Sequence, residues 1–438
     1  MTQASPASLP AETTKDVEGT ASSRRDLLLT TAIVLVLYSV LCPTWYWVSP
    51  IIARVSDLSV LLAAILLAAL MWNKSDRTLR FMVPYVAYGA TMLLSLALFA
   101  ARGGKFVGAD FVELARPLFW MSGIAIGYSA IRRSPGKAFE RLTLVLVIIG
   151  WLNSIIAWIM YIAPDFSLPM FQLYSVRNLY EHGRPGGLAY THTEYVAINA
   201  IAILASIIGR KKFTSVTIIF LLVSCIIPQS KAGIVLIAVM MSIYIVIKSP
   251  TKKLILISSL VVAATLILWP ALSHLLELEF PYMYSGFLAL SRVFFDSSAL
   301  EDGSVGPRAM DWIITWERML SDPLVFLFGN SPMRGYREIS YIENTSTNVL
   351  FRFGIAGIIS YYYTFVSVCI SEKIDRAAVI SFICAVVVAD CAANFSESIK
   401  FMFCLSILFG ALLARSESYQ ISMISRKENV SETGGVAT

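Results

Sequence analysis

The chain has 438 residues, of which 57% are hydrophobic and only 15% charged, and its mean hydropathy is +0.70. That balance excludes an ordinary water-soluble domain and a disordered chain, and it places the protein among polytopic membrane proteins. The net charge of +6 reports how basic residues are sorted across a membrane studded with anionic lipid, and gives no ground for a nucleic-acid partner.

In chain order, residues 1–23 are rich in Ser, Thr, Ala and Pro with no apolar core, which predicts a disordered cytoplasmic tail and not a cleaved signal peptide. Apolar runs long enough for a hydrocarbon core of about 30 Å follow near 27–48, 58–72, 81–100, 112–131, 141–163, 193–209, 213–228, 232–247, 254–270, 349–371, 377–393 and 398–414. The expected fold is all-α, with about twelve transmembrane helices: nine within 24–270 and three within 349–415. One long periplasmic loop is expected at 271–348 and a cytoplasmic tail at 416–438.

Lysine and arginine set the orientation, because short cytoplasmic connectors retain them. With the N-terminus inside, alternate connectors carry Lys15, Arg24, Arg25, Lys74, Arg77, Arg80, Arg132, Arg133, Lys137, Arg141, Arg210, Lys211, Lys212, Lys248, Lys252, Lys253, Lys373, Arg376, Arg415, Arg426 and Lys427, which is 21 of the 35 basic residues. Both termini then lie in the cytoplasm and the long loop faces out.

Six cysteines sit in or beside the expected spans without a C-x-x-C pair, which marks them as small apolar residues and not as disulfide or metal ligands. His182, His192 and His274 fall on the expected outer side in no zinc spacing. No cofactor is indicated.

Charges inside a bilayer persist where a partner or a function holds them. Glu113 and Arg116 lie one helical turn apart at the outer end of the fourth span. Arg184 stands in a Gly-Arg-Pro-Gly-Gly-Leu run just before the sixth span, where glycines let a ligand approach the backbone. Lys231, in Gln-Ser-Lys-Ala-Gly, occupies the short outward turn before the eighth span, and Arg352 lies just inside the tenth.

Within the long loop, Ala309, Trp312, Ile313, Trp316, Met319 and Leu320 recur at helical spacing and predict an amphipathic helix over 308–320, lying on the bilayer or capping the bundle. Asp322, Pro323, Leu324 and then Phe328, Gly329 follow, with Arg334, Arg337, Glu343 and Asn344 leading into the next span. Tyr282, Tyr284, Tyr336 and Tyr341 are placed to stack on sugar rings or to pack on protein.

These residues resemble the outer-loop signature of the O-antigen polymerase and ligase superfamily. The resemblance rests on Arg308 with Trp312, the Asp-Pro-Leu and Phe-Gly of 322–329, Glu343-Asn344 before Gly354 to Gly357, the Arg184 glycine run, and Ser230-Lys231-Ala232-Gly233. It covers about residues 180 to 360 with the motifs in order. It implies a GT-C-like, metal-independent membrane glycosyltransferase that uses an undecaprenyl-diphosphate-linked oligosaccharide at the outer face of a bacterial inner membrane, with a flippase and a chain-length regulator as pathway partners. Two departures stand out. Lys231 replaces the family's usual Arg, keeping the charge but losing the planar fork. Glu343 stands where ligases carry His, which turns the expectation toward a polymerase of repeat units.

The chemistry fits those residues. Breaking a sugar–diphosphate bond expels a charged leaving group, so cations that hold the developing charge matter most. Arg184, Lys231 and Arg308 are the expected diphosphate ligands, Glu343 the group that takes the acceptor proton, and Arg116, Arg334, Arg337 and Arg352 further substrate contacts. A ligase is the near alternative. Transporters and non-catalytic export-complex subunits are alternatives of another class, and the chain shows neither duplicated halves nor paired Gly/Pro-broken spans of the kind that build a transport site.

Overall fold

A computed structural model describes residues 12–43, 59, 62–69, 76–104, 108–132, 134–174, 184–209, 214–249, 273–274, 277–281, 284–285, 306–330, 342, 344–395 and 398–433; within 12–25, 76–80, 108–113, 306–309, 399 and 426–433 it describes the backbone alone. Among the described residues all regular structure is helical. The principal helices are α1 (Glu12–Leu41), α2 (Asp76–Ala101), α3 (Gly108–Arg132), α4 (Lys137–Ile162), α5 (Pro164–Tyr174), α6 (His192–Gly209), α7 (Thr214–Ser224) and α8 (Lys231–Lys248). After them come α9 (Gly306–Ser321), α10 (Pro323–Phe328), α11 (Thr345–Ser371), α12 (Arg376–Asp390) and α13 (Ile399–Thr433).

Six of these helices, α2, α4, α6, α8, α11 and α13, contain stretches long and apolar enough to cross a membrane. The packing says why a bilayer is required. Along α4, Leu144, Ile148, Leu152, Ile155, Ile159 and Ile162 form an exposed apolar stripe, and Val83, Val86 and Leu93 do the same on α2. Water would not tolerate an apolar surface of that extent, whereas lipid is its natural solvent. By contrast, 83% of the apolar window of α13 and 78% of that of α6 are buried, so these two form the centre of the bundle.

Close approach at the centre depends on small residues. Gly123 and Gly127 of α3 face Ser406 and Ile407 of α13, and Gly410 of α13 faces Ile124 and Tyr128 of α3. A side chain at Gly127 or Gly410 would run into backbone of the facing helix. Tyr88 of α2 then stacks on Trp120 of α3 at 5.7 Å and meets Phe353 and Tyr361 of α11, binding the third layer.

The sequence expectation differs from this picture in several places. The 254–270 run lies outside the described residues, and 58–72 is described only at 59 and 62–69. The expected spans at 213–228 and 377–393 are helices of 11 and 15 residues, because their outward ends unwind into turns at 225–230 and 391–395. Helical backbone begins at Glu12, inside the expected disordered tail, and α13 continues past Arg415 to Thr433. The latter extension is anchored: Tyr128 donates to Glu417, and Ser416 Oγ donates to Ser371 O at 3.1 Å.

Successive helices run between two ends. At one end Arg415 pairs with Asp375 at 2.9 Å and lies over the Phe139 ring, among Arg132, Lys137, Arg141, Lys373 and Arg376. At the other end α1 stops and α6, α8, α11 and α13 begin.

The most unusual element is α11. Gly354 has φ 67° and ψ −165°, a conformation reserved for glycine, and splits the helix. Ser346 Oγ and Tyr362 OH, sixteen residues apart, are 2.7 Å from each other. A straight helix would hold those positions about 24 Å apart. The short arm Thr345–Phe353 is therefore folded back beside the long one.

Candidate functional site

The end of the bundle opposite the basic residues is recessed. Gly187 packs on Asn153, Leu188 N donates to Asn153 Oδ1 at 2.9 Å, and Asn153 Nδ2 donates to Asn199 Oδ1 at 3.1 Å. Asn153 lies nine residues before α4 ends at Ile162, so the 184–191 loop sits about 13 Å below that helix end. Across the bundle Ser95 Oγ donates to Arg352 O at 2.7 Å, six residues or about 9 Å below the end of α2. Helices α2 and α4 thus rise past a floor formed by the 184–191 loop, the 225–230 turn, the break in α11 and the 391–395 turn, with the Tyr174 ring of α5 set over Lys400.

Four helix N-termini, each an end of partial positive charge, are capped near this floor, that of α11 buried beside Tyr362 of its own long arm. Thr191 and Glu194 form a capping arrangement for α6, with Glu194 N donating to Thr191 Oγ1 and Tyr190 N to Glu194 Oε2. Ser230 Oγ caps α8 by accepting from Gly233 N, and Asn344 Oδ1 caps α11 by accepting from Thr347 N at 2.8 Å. The start of α13 is held by Ser398, whose Oγ donates to Glu194 and accepts from Phe401 N.

Cations gather at the same level. Arg184 donates through Nε to Pro228 O at 3.1 Å and through Nη2 to Gln229 O at 2.8 Å, so its first task is to hold the turn that presents Lys231. Lys231 is half-buried at the first residue of α8. Arg352 is buried, its guanidinium 4.9 Å from the Phe353 ring centroid. Arg116 is half-buried on α3, seven residues outward of Gly123, which faces Ser406 six residues beyond Lys400; Arg116 and Lys400 therefore share a level.

Other predicted residues are not placed. Arg308 lies on the first turn of α9, where the backbone alone is described, and the side chain of Glu113 is likewise outside the description. His182, Tyr282, Arg334, Tyr336, Arg337, Tyr341 and Glu343 lie outside the described residues. The helix α9 itself buries Asp311, Thr315 and Met319 and turns Met310, Ile313, Trp316 and Leu320 outward, the arrangement of a helix whose outer face meets lipid. Behind it Ile342 and Phe351 pack with Ile314, so α9 roofs the short arm of α11. The following α10 ends at Gly329, and Asn330 N donates to Phe351 O at 2.9 Å, supplying a partner to a carbonyl beside the break.

Three residues that the sequence left unremarked are central here. Lys400 Nζ donates to Leu188 O at 2.9 Å, Val40 O at 3.1 Å and Cys42 O at 3.4 Å, between the rings of Tyr174 and Tyr190. All three of its N–H bonds are used, so it staples α1, the loop and α13. Glu194, also buried in the floor, accepts from Ser398, two residues before Lys400. Asp390, fully buried, accepts from Tyr361 OH at 2.9 Å on the long arm of α11. Each was a single charge at the edge of an apolar run, and only the Thr-x-x-Glu cap at 191–194 carried a local signal.

Among the described residues no group of three or more His, Cys, Asp or Glu side chains is placed to hold a metal ion, and all six cysteines are free thiols. No protein-family model matches the chain, and no curated protein aligns with it significantly.

Proposed function

We propose that the protein is a polymerase that joins undecaprenyl-diphosphate-linked oligosaccharide units into a surface or secreted polysaccharide. On this reading it is a multi-pass protein of a bacterial inner membrane, with the basic end in the cytoplasm and the recess open to the periplasm. The observation behind the reading is that the N-termini of α6, α8 and α13 and the cations Arg116, Lys231 and Arg352 all belong to the end of the bundle opposite the basic one, beside lipid-facing helices. A polyprenyl diphosphate needs that combination: positive ends and cations for the diphosphate, an apolar flank for the tail, and an open mouth for the glycan. Lys231 and Arg308, the latter on the first turn of α9, are assigned to the diphosphate, with Arg184 setting the turn that carries Lys231. Glu343, one residue before the cap of α11, is assigned to the acceptor hydroxyl.

A second reading has one observation behind it. A helix broken inside the bundle is a device of secondary transporters. Those sites use a pair of broken helices, and α11 is the one helix broken by a positive-φ residue among the described residues.

The test uses a strain lacking the gene, complemented with wild type, Lys231→Ala, Arg308→Ala or Glu343→Ala at matched membrane levels. Single lipid-linked units should accumulate in the null strain and in the variants, while wild type restores long chains. Long chains left unattached would instead identify a ligase. Normal glycans in every strain would overturn the glycosyltransferase reading.

A further inference from the structure

A crevice opens at the basic end of the bundle, far from the recess. It holds a volume of about 120 Å³ between α1, α3 and α4 and is lined by Asp26, Ser129, Ser134, Lys137 and Arg141 together with Leu28, Leu29, Ala130 and Ala138. Leu29, Ala130 and Ala138 are buried at its back, whereas Asp26, Ser134, Lys137 and Arg141 are exposed at its rim, so a ligand there meets charge at the mouth and apolar surface behind, as a phospholipid headgroup would. Lys137 is the first residue of a membrane-crossing helix, so the crevice lies at headgroup level.

Lys137 and Arg141 are one turn apart on α4, and against Asp26 they leave the crevice lining with an excess of positive charge. The same helix starts at Gly136 with no side-chain cap, leaving a positive helix end beside the two cations. Ser134 and Ser129 add hydroxyls suited to phosphate oxygens. Asp26 faces them from α1, and its sign is wrong for a phosphate but right for a primary ammonium.

We propose that this crevice binds the headgroup of a zwitterionic phospholipid of the ethanolamine type, with the phosphate between Lys137 and Arg141 and the ammonium on Asp26. The site is independent of the recess and of the activity assigned there. Such a lipid would pin the first span against α3 and α4 and fix the depth of the bundle in its leaflet.

Native mass spectrometry of the full chain in detergent tests the assignment. The protein is stripped of lipid and then offered phosphatidylethanolamine, phosphatidylglycerol or soluble phosphoethanolamine. Wild type should retain phosphatidylethanolamine over phosphatidylglycerol. The pair Lys137→Gln and Arg141→Gln should lower that retention by roughly fivefold for each charge removed. Asp26→Asn should keep total lipid binding but lose the preference between headgroups, and it serves alone if the double variant does not fold. Equal retention by wild type and both variants would overturn the site. Displacement of the lipid by soluble phosphoethanolamine would overturn the lipid as its occupant.

Discussion

Lys400 shows how much of the recess hangs on one side chain. Replacing it with Met leaves the carbonyls of Val40, Cys42 and Leu188 without their donor in a buried site. An unsatisfied buried group costs about 1–3 kcal/mol, so Lys400→Met should lower the melting temperature in detergent far more than the equally apolar change Leu278→Met at an exposed position. Glu372, in the connector after α11, gives a pH-dependent counterpart. Burial raises its carboxyl above the ordinary value, and hydrogen bonds from the Asp375 and Ile374 amides only partly offset this. A raised folded-state pKa means that the native protein holds this proton more tightly than the unfolded chain. The contribution is therefore full below the ordinary glutamate value and is lost as pH rises through the folded one. Glu372→Gln should remove that component, making the melting temperature less dependent on pH across the acidic range. An unchanged pH profile would contradict it.

At the scale of elements, the break in α11 organises its neighbours. Gly354→Ala would place a Cβ about 2.5 Å from the Leu327 backbone and force a non-glycine residue into a glycine conformation, a strain of about 1–3 kcal/mol before the clash. Full-length expression with loss of thermal stability is the expected result, and activity should fall with it if the recess is the site. Gly127→Leu is a second test of packing, because it would push α13 away from α3 and destabilise the whole bundle. The apolar runs made the long helices legible in the sequence, since composition alone decides that they enter lipid. What was not legible is where they stop: α7 and α12 are shorter than their apolar runs because Gln229 and the 391–395 turn are shaped by partners from distant helices. Of the site, Arg184, Lys231 and Arg352 were visible as charges at span ends. That Arg184 is committed to the carbonyls of Pro228 and Gln229, and that Lys400, Glu194 and Asp390 lie in the same floor, depends on contacts between residues far apart in the chain.

For the whole molecule, the sorting of charge and the recess make one joint prediction about sidedness. In a chain whose own cysteines are replaced, Leu278→Cys near the recess end should react with a membrane-impermeant maleimide in intact cells, and Lys373→Cys at the basic end only after the membrane is opened. The reverse pattern would turn the protein over and remove the periplasmic reading of the recess. The stripe of isoleucines and leucines on α4 and the outward face of α9 would then still contact lipid, since that inference rests on exposure and not on orientation.

The fold-back in α11 also bears on how the protein is made. The short arm Thr345–Phe353 has nine residues and reaches about 13 Å, less than half of a hydrocarbon core. No insertion machinery can release such a segment into lipid as a helix in its own right. Its partners, Ala393 and Asn394 after α12, are synthesised later than the arm itself. The arm must therefore wait at the membrane surface until α12 and α13 have been threaded, and only then be swallowed by the closing bundle. The floor is consequently completed last, and a chain truncated before α12 would hold every long helix from α2 to α8 yet lack the Ala393 and Asn394 partners that fix the short arm in place.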